Sequence, residues 1–403
     1  MPRRHSVVDL FAGIAGVSTG FWETGHFIPS LLVDIDEDAK ETFVLNHPHL
    51  RAKFLCEDIA KISATKIVRH AGRIPTGIVG CPPCQGLSDV GLRRHVDNRN
   101  HLIDDYFRLV RSLRPKFFVM ENVPRVLSYS RFRSQMQGVA QMYSIWSGVL
   151  NAAHYGVPQS RQRAIVIGYR KDLGVEPTPP PATHCGSRRV FAYDLQKLVS
   201  PATEAHWKSI LGTNTRLKKY MDFDSERFAE LTPFVTCEDA LSDLPRASVT
   251  RRKLKYKSKA NTPYQLRMRH NASVVLDHTP WNHGPGLVSR MRLMKAGESA
   301  LSKVGRERHP YYSQAYARLH PLGLARTVTT NFHNAGAGRF WHYHADRTLT
   351  VREAARLQSF PDHFLFPDGT TRTARERLLG NAFPPLFARA IAKHIFLEIG
   401  NLL

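Results

Sequence analysis

Short, continuously apolar segments alternate with amphipathic ones through residues 1–170, and that alternation leaves few folds open. Val-Val-Asp-Leu-Phe at 7–11, Leu-Leu-Val-Asp at 31–34, Gly-Ile-Val-Gly at 77–80, Phe-Phe-Val-Met at 117–120 and Ala-Ile-Val-Ile at 164–167 are too brief for buried helices. They also lack the polar alternation of a strand with one wet face, so they read as strands of a parallel sheet covered on both faces. Between them lie helical patterns such as Leu102, Tyr106, Val110 and Leu113. The expected class is α/β, in which chemistry gathers at the carboxyl ends of the strands.

A proline-rich break at 177–181 ends this regime. The stretch that follows is polar, basic and weakly periodic, and it reads as a second domain or a large insertion. It contains Arg251, Lys253, Lys255, Lys257 and Lys259 at every second position. On a strand these would form a basic ribbon, with Leu254 and Tyr256 anchoring the other face; otherwise the run is a solvated coil. Thr350 and Glu353 have capping-box spacing, so a helix should start there and stop before Pro361. A last helix is expected after Pro384 and Pro385. The resulting division is 1–178, 179–339 and 340–403.

Across 403 residues, Lys and Arg total 57 against 34 Asp and Glu, a formal charge of +23 that points to a polyanionic partner. No run approaches the roughly 20 apolar residues of a membrane span, and the first apolar run, interrupted by Asp9, is not a signal peptide. Five cysteines argue against a disulfide framework and for a reduced, cytoplasmic protein. Cys81 and Cys84 form a C-x-x-C with no second pair to complete a zinc site, so no metal is expected.

Four strand-end clusters carry candidate chemistry. Asp9 to Gly16 is a glycine-containing turn after the first strand, and Asp34 ends the second, as a carboxylate for ribose hydroxyls would. The turn does not match G-x-G-x-x-G, which favours a nucleoside cofactor over a dinucleotide. Asp58 is either an acceptor for an adenine amino group or a loop carboxylate. Around Cys84, Pro82 and Pro83 stiffen the backbone and Gly86 allows a sharp turn, which presents a thiol rigidly. Glu121 stands at another strand end, suited to acid or hydrogen-bond work. Arg161 and Arg163 alternate before the last strand and either share a functional face or line a solvated edge.

In this order the clusters strongly resemble the DNA (cytosine-5)-methyltransferase family, bacterial restriction-modification type. Asp9 to Gly16 resembles its cofactor loop, Pro83-Cys84-Gln85 its nucleophile motif, and Glu121-Asn122-Val123 and Gln159 to Arg163 the next two motifs. Residues 326–330, 352–361 and 380–385 resemble its C-terminal signatures. The resemblance spans the chain apart from its middle. Ala15 departs from it, standing where the family usually has glycine, and is expected to be tolerated if its backbone dihedrals are ordinary.

The resemblance implies a Rossmann-like S-adenosylmethionine-dependent methyltransferase domain with a smaller, irregular target-recognition domain. Cys84 would be the nucleophile, assisted by Glu121, with Arg163 on the base carbonyl or lowering the thiol pKa and Arg161 doing the same or binding a phosphate. Asp9, Phe11, Gly13, Ile14, Gly16, Asp34, Ile35, Asp58, Ile59, Pro83, Leu102 and Asn381 would form the cofactor pocket, with Phe11 either stacking on adenine or packing in the core. The implied partners are double-stranded DNA and a cognate restriction endonuclease, for a monomeric enzyme acting on DNA in a bacterial cytoplasm. The competing readings are a transfer RNA cytosine-5 methyltransferase of the same fold, a non-catalytic binding module and an NAD-dependent oxidoreductase. Intact Cys84, Glu121 and Arg163 disfavour the binding module, and the glycine pattern disfavours the oxidoreductase.

Overall fold

A computed structural model describes residues 4–83, 101–185, 231–270, 272–299 and 315–403. Its first part runs β1 (His5–Leu10), α1 (Gly16–Trp22), β2 (Phe27–Asp34), α2 (Glu37–Asn46), β3 (Phe54–Cys56), α3 (Ala64–Ala71), β4 (Gly77–Gly80), α4 (Leu102–Leu113), β5 (Phe117–Asn122), α5 (Ser130–Val139), β6 (Tyr143–Asn151), β7 (Gln159–Ser160) and β8 (Gln162–Arg170). Seven strands form one sheet in the order β3-β2-β1-β4-β5-β8-β6.

The sheet is buried on both faces because its apolar runs have no polar alternation. On β5, Phe118 and Met120 face a core shared with α4 and α5, while Phe117 and Val119 face the opposite core. On β8, Ala164 and Val166 join the first core and Ile165 and Ile167 the second. Successive side chains of a strand point to opposite faces, so one apolar run supplies two cores.

The expected parallel sheet needs one correction. β3, β2, β1, β4 and β5 pair in parallel, but β8 is antiparallel to both β5 and β6. Residues 152–161 joining β6 to β8 hold a short 3-10 turn and β7 but no crossover helix. A parallel neighbour needs such a crossover, whereas an antiparallel one does not.

After β8 come β9 (His184–Cys185), β10 (Thr232–Pro233), α6 (Cys237–Leu241), α7 (Pro263–Arg269), α8 (Pro285–Leu293), β11 (Ala325–Arg326), α9 (Val351–Leu357), α10 (Arg372–Asn381) and α11 (Pro385–Ile399). Thr350 and Glu353 close the expected capping box of α9, which ends before Pro361. α11 starts after Pro384 and packs along α1. A third core joins α2 and β3 to the middle and C-terminal segments through Phe43, Phe54, Tyr264, Met268, Leu357 and Phe364. At its centre the fully buried Arg356 pairs with Asp243 and Asp362, and the Tyr256 hydroxyl donates to Asp362 at 2.6 Å.

The basic run keeps the expected facing without being a strand. Arg251, Lys253, Lys255, Lys257 and Lys259 are exposed, while Leu254 and Tyr256 pack against the core. Only Leu254 makes a β-bridge, to Val275. Two residues beyond Leu254 the Arg269 guanidinium lies 3.8 Å from the Tyr256 ring centre, and the Lys257 N–H bonds the Asp243 carbonyl, so the chain turns away from further pairing.

Candidate active site and cofactor cradle

Five parallel strands place their carboxyl ends along one edge of the sheet. At the end of β1 the backbone is tightly wound, with positive φ at Phe11 (59°), Gly13 (49°) and Ala15 (62°). The condition under which alanine at 15 is expected to cost nothing, ordinary dihedrals, is therefore not met. It is the N-cap of α1 in the left-handed region, where a Cβ costs about 1–2 kcal/mol. Full burial of its methyl group among Ile14, Leu32 and their neighbours offsets that strain. Gly16 is required for a different reason: a Cβ there would stand 2.0 Å from the Phe383 carbonyl oxygen. Its missing side chain admits the entry to α11.

Asp9 also differs from its expected place in the pocket. It is 1% exposed, and one carboxylate oxygen accepts from the Ser18 N–H (3.2 Å) and hydroxyl (2.7 Å). It thus fastens the first turn of α1. Its other oxygen is buried with no partner, and burial pushes its pKa up to about 7.

Asp34 closes β2. Its carboxylate accepts from the Gly13 N–H at 2.7 Å and the Asp36 N–H at 3.0 Å, which ties the first loop to the second strand end. Burial raises its pKa. Ile35, next along, is 69% exposed. Beyond β3, Asp58 is half-buried and caps a 3-10 turn through the Ala60 N–H, while Ile59 is in the core. Half-buried Leu102 opens α4, exposed Asn381 closes α10, half-buried Pro83 follows β4 and Phe11 is partly buried beside the core. Ile14 is buried.

Two carboxylates at neighbouring strand ends, an exposed isoleucine between them and an open Gly13 suit a nucleoside: acceptors for ribose hydroxyls and an apolar rim for the base. A Cβ built on Gly13 would meet nothing within 4 Å. S-adenosylmethionine fits this set of donors and surfaces.

Glu121, near the end of β5, pairs with Arg163 of β8 at 2.7 Å, and their side chains are 12% and 14% exposed. The Cys81 thiol also hydrogen-bonds Glu121, and burial followed by the nearby Glu121 and Asp9 charges holds that thiol far above its ordinary pKa. Asn122 donates from Nδ2 to the Pro82 carbonyl at 3.0 Å. The chain leading into Cys84 is thus tied to the strand that carries Glu121; Cys84 itself lies outside the described residues.

Arg161 lies deeper than Arg163, close enough to feel the charges of Arg163 and Glu121. At 2% exposure it donates to the carbonyls of Val328 (3.4 Å) and Gly380 (3.3 Å). Burial, then the Arg163 charge, pulls its pKa down to about 9, which leaves it cationic at neutral pH.

The motifs also join through residues the sequence did not single out individually. The Gln159 side-chain amide donates to the Leu357 carbonyl and the Gln358 side chain and accepts from the Val328 N–H at 2.9 Å. Gln358 in turn donates to the Leu379 carbonyl at 2.8 Å. A Cβ on Gly380 would stand 2.4 Å from the Thr330 nitrogen. The presence of Gln159, Gln358 and Gly380 within the motifs was the available signal, but their partners lie in other motifs.

Comparison with known proteins agrees with this arrangement. The C-5 cytosine-specific DNA methylase family pattern matches residues 5–397. The type II methyltransferase M.DdeI of Desulfomicrobium norvegicum is 30% identical over 420 aligned residues, covering 97% of this chain and 88% of that one. M1.HphI of Haemophilus parahaemolyticus is also 30% identical, covering 96% and 86%. Among solved structures, an E. coli prophage-encoded protein assigned as a DNA modification methyltransferase superposes with a TM-score of 0.71 at 26% identity, over 98% of this chain and 99% of that one. S. pombe Dnmt2, at a TM-score of 0.57 and 14% identity over 99% of both chains, shares the fold. The chain belongs to the C-5 cytosine-specific DNA methylase family.

Proposed function

We propose that the protein methylates carbon 5 of a cytosine flipped out of a specific duplex DNA sequence, through a covalent adduct with Cys84. Carbon 5 is a weak nucleophile, and a flipped base is needed because the ring is inaccessible within a stack. The Cys84 thiolate adds to carbon 6 while ring nitrogen 3 takes a proton held at Glu121, which makes carbon 5 enamine-like. Bound S-adenosylmethionine supplies an electrophilic sulfonium methyl group. Methyl transfer to carbon 5 leaves S-adenosylhomocysteine; the carbon 5 proton then goes to a base, the carbon 6–sulfur bond breaks to release the Cys84 thiolate, and the proton on nitrogen 3 returns to Glu121. Arg163 holds the Glu121 carboxylate, and Arg161 acts from beneath by fixing the backbone before β8. Asp34 and Asp58 bind the nucleoside hydroxyls and amino group, with Phe11, Ile35, Leu102 and Asn381 around them.

The observation that carries this reading is the Glu121–Arg163 pair beside the Pro82–Pro83 segment, tied to it by Asn122. Residues 1–178 and 340–403 would form the catalytic domain and 179–339 the target-recognition domain. The type II relatives favour duplex DNA over transfer RNA, a companion endonuclease for the same site and a bacterial cytoplasmic setting; monomeric action completes the proposal. Incubation with cofactor and a duplex containing 5-fluorocytosine at the target, found by bisulfite sequencing of DNA from expressing cells, should trap a covalent complex. Cys84→Ser should bind cofactor and duplex yet form no adduct and transfer no methyl group. Retained turnover in that variant would falsify the nucleophile assignment, and modification of transfer RNA but not duplex DNA would overturn the substrate.

A further inference from the structure

The loop that follows Asp34 is held from outside its own domain segment. Asp36 donates its N–H to Asp34, caps α2 through the Ala39 N–H and pairs with Arg377 of α10. Asp38 pairs with the same guanidinium at 3.1 Å. Arg377 sits four residues before Asn381 on one helix, and the backbone just before Asn381 is fixed as well, since Gly380 accepts from Arg161. One helix therefore grips the β2–α2 loop at Arg377 and carries the exposed Asn381 at its end, while Ile35 on that loop is itself exposed. Asp34, Asp36, Glu37 and Asp38 put four carboxylates within five residues. Arg377 is the cation facing Asp36 and Asp38, and without it their repulsion would act on the loop that carries Asp34.

We infer that Arg377 is a positioning residue for the cofactor: its pairs with Asp36 and Asp38 latch the Asp34–Ile35 loop onto α10 in the binding-competent geometry. This rests on the reading of Asp34 and Ile35 as cofactor-pocket residues. At 42% side-chain exposure, Arg377 contributes little to global stability, as exposed pairs generally do. Its effect is on the fraction of molecules whose loop is in place, and apparent affinity falls in proportion to that fraction.

The test is calorimetric titration of the full chain with S-adenosylhomocysteine, which needs no turnover, alongside melting temperature and duplex affinity without cofactor. If the loop is in place almost always with the latch and about one time in ten without it, Arg377→Ala should bind the probe about tenfold more weakly. Its melting temperature and duplex affinity should be unchanged, its KM for S-adenosylmethionine should rise with kcat nearly intact, and Arg377→Lys should restore most of the loss. Asp34→Ala is the control on the pocket: if it binds the probe normally, the pocket assignment fails. If Asp34→Ala weakens binding while Arg377→Ala does not, the latch alone is wrong. A general loss of melting temperature and duplex affinity in Arg377→Ala, unrescued by lysine, would make the residue structural and overturn the inference.

Discussion

Replacing Asp9 by asparagine should flatten the pH dependence of stability, and the structure sets the size of the effect. Asp9 has a folded pKa of about 7 against an ordinary 3.8. Burial is the main cause; the two Ser18 bonds act the other way but do not cancel it. Because the folded state binds the proton more tightly, ionisation destabilises it. The cost is absent below the unfolded pKa, grows as pH rises between the two values and is fully present above about 7. At about 1.4 kcal/mol per pH unit, the gap corresponds to about 4 kcal/mol, of which somewhat more than half falls between pH 5 and pH 8. Asparagine keeps an oxygen for Ser18 and cannot ionise. Urea unfolding of both proteins at the two pH values gives the result as a difference of differences, in which other titrating groups cancel. The variant should gain about 2 to 3 kcal/mol relative to wild type on going from pH 5 to pH 8. Equal pH responses would refute the argument and mean that Asp9 is solvated in a way its burial does not suggest.

Other outcomes follow from single contacts. Gly16→Ala drives a methyl group into the Phe383 carbonyl and should destabilise the protein by about 3 kcal/mol, seen as a lower urea midpoint; an unchanged midpoint would show that α11 can retreat. Lys255→Ala with Lys257→Ala should reduce the slope of log duplex affinity against log salt by about 1 to 2 on cognate and non-cognate DNA alike. An unchanged slope would place these exposed lysines away from phosphates, and an altered methylation site would mean that they read bases.

The parts of the fold written in local pattern were legible from sequence, and those that depend on distant partners were not. Apolar runs announced β1, β2, β4, β5 and β8 because each is buried on both faces, and capping chemistry announced α9 through Thr350 and Glu353. The direction of β8 escaped because it depends on how the chain returns from β6. The left-handed Ala15 escaped because alanine gives no sign of positive φ, as glycine would have. The strand-end positions of Asp34 and Glu121 could be read from where apolar runs stop. The inward turn of Asp9 and the burial of Arg161 could not, since Ser18, Val328 and Gly380 decide them.

The contact between Arg377 and Asp36 joins residues 341 positions apart, and this separation bears on how the protein is made. A ribosome releases β1, β2 and the β2–α2 loop long before α10 and α11 exist. Until those helices emerge, the face of α1 that α11 will cover is bare and the Asp34 loop has no latch. The elements made first therefore wait for elements made much later to cover α1 and to pair with Asp36. Such long-range closure is slow, because ordering the intervening chain precedes the contacts that reward it. If the proposed latch holds, chains terminated before α10 would lack the contact that fixes the Asp34 loop.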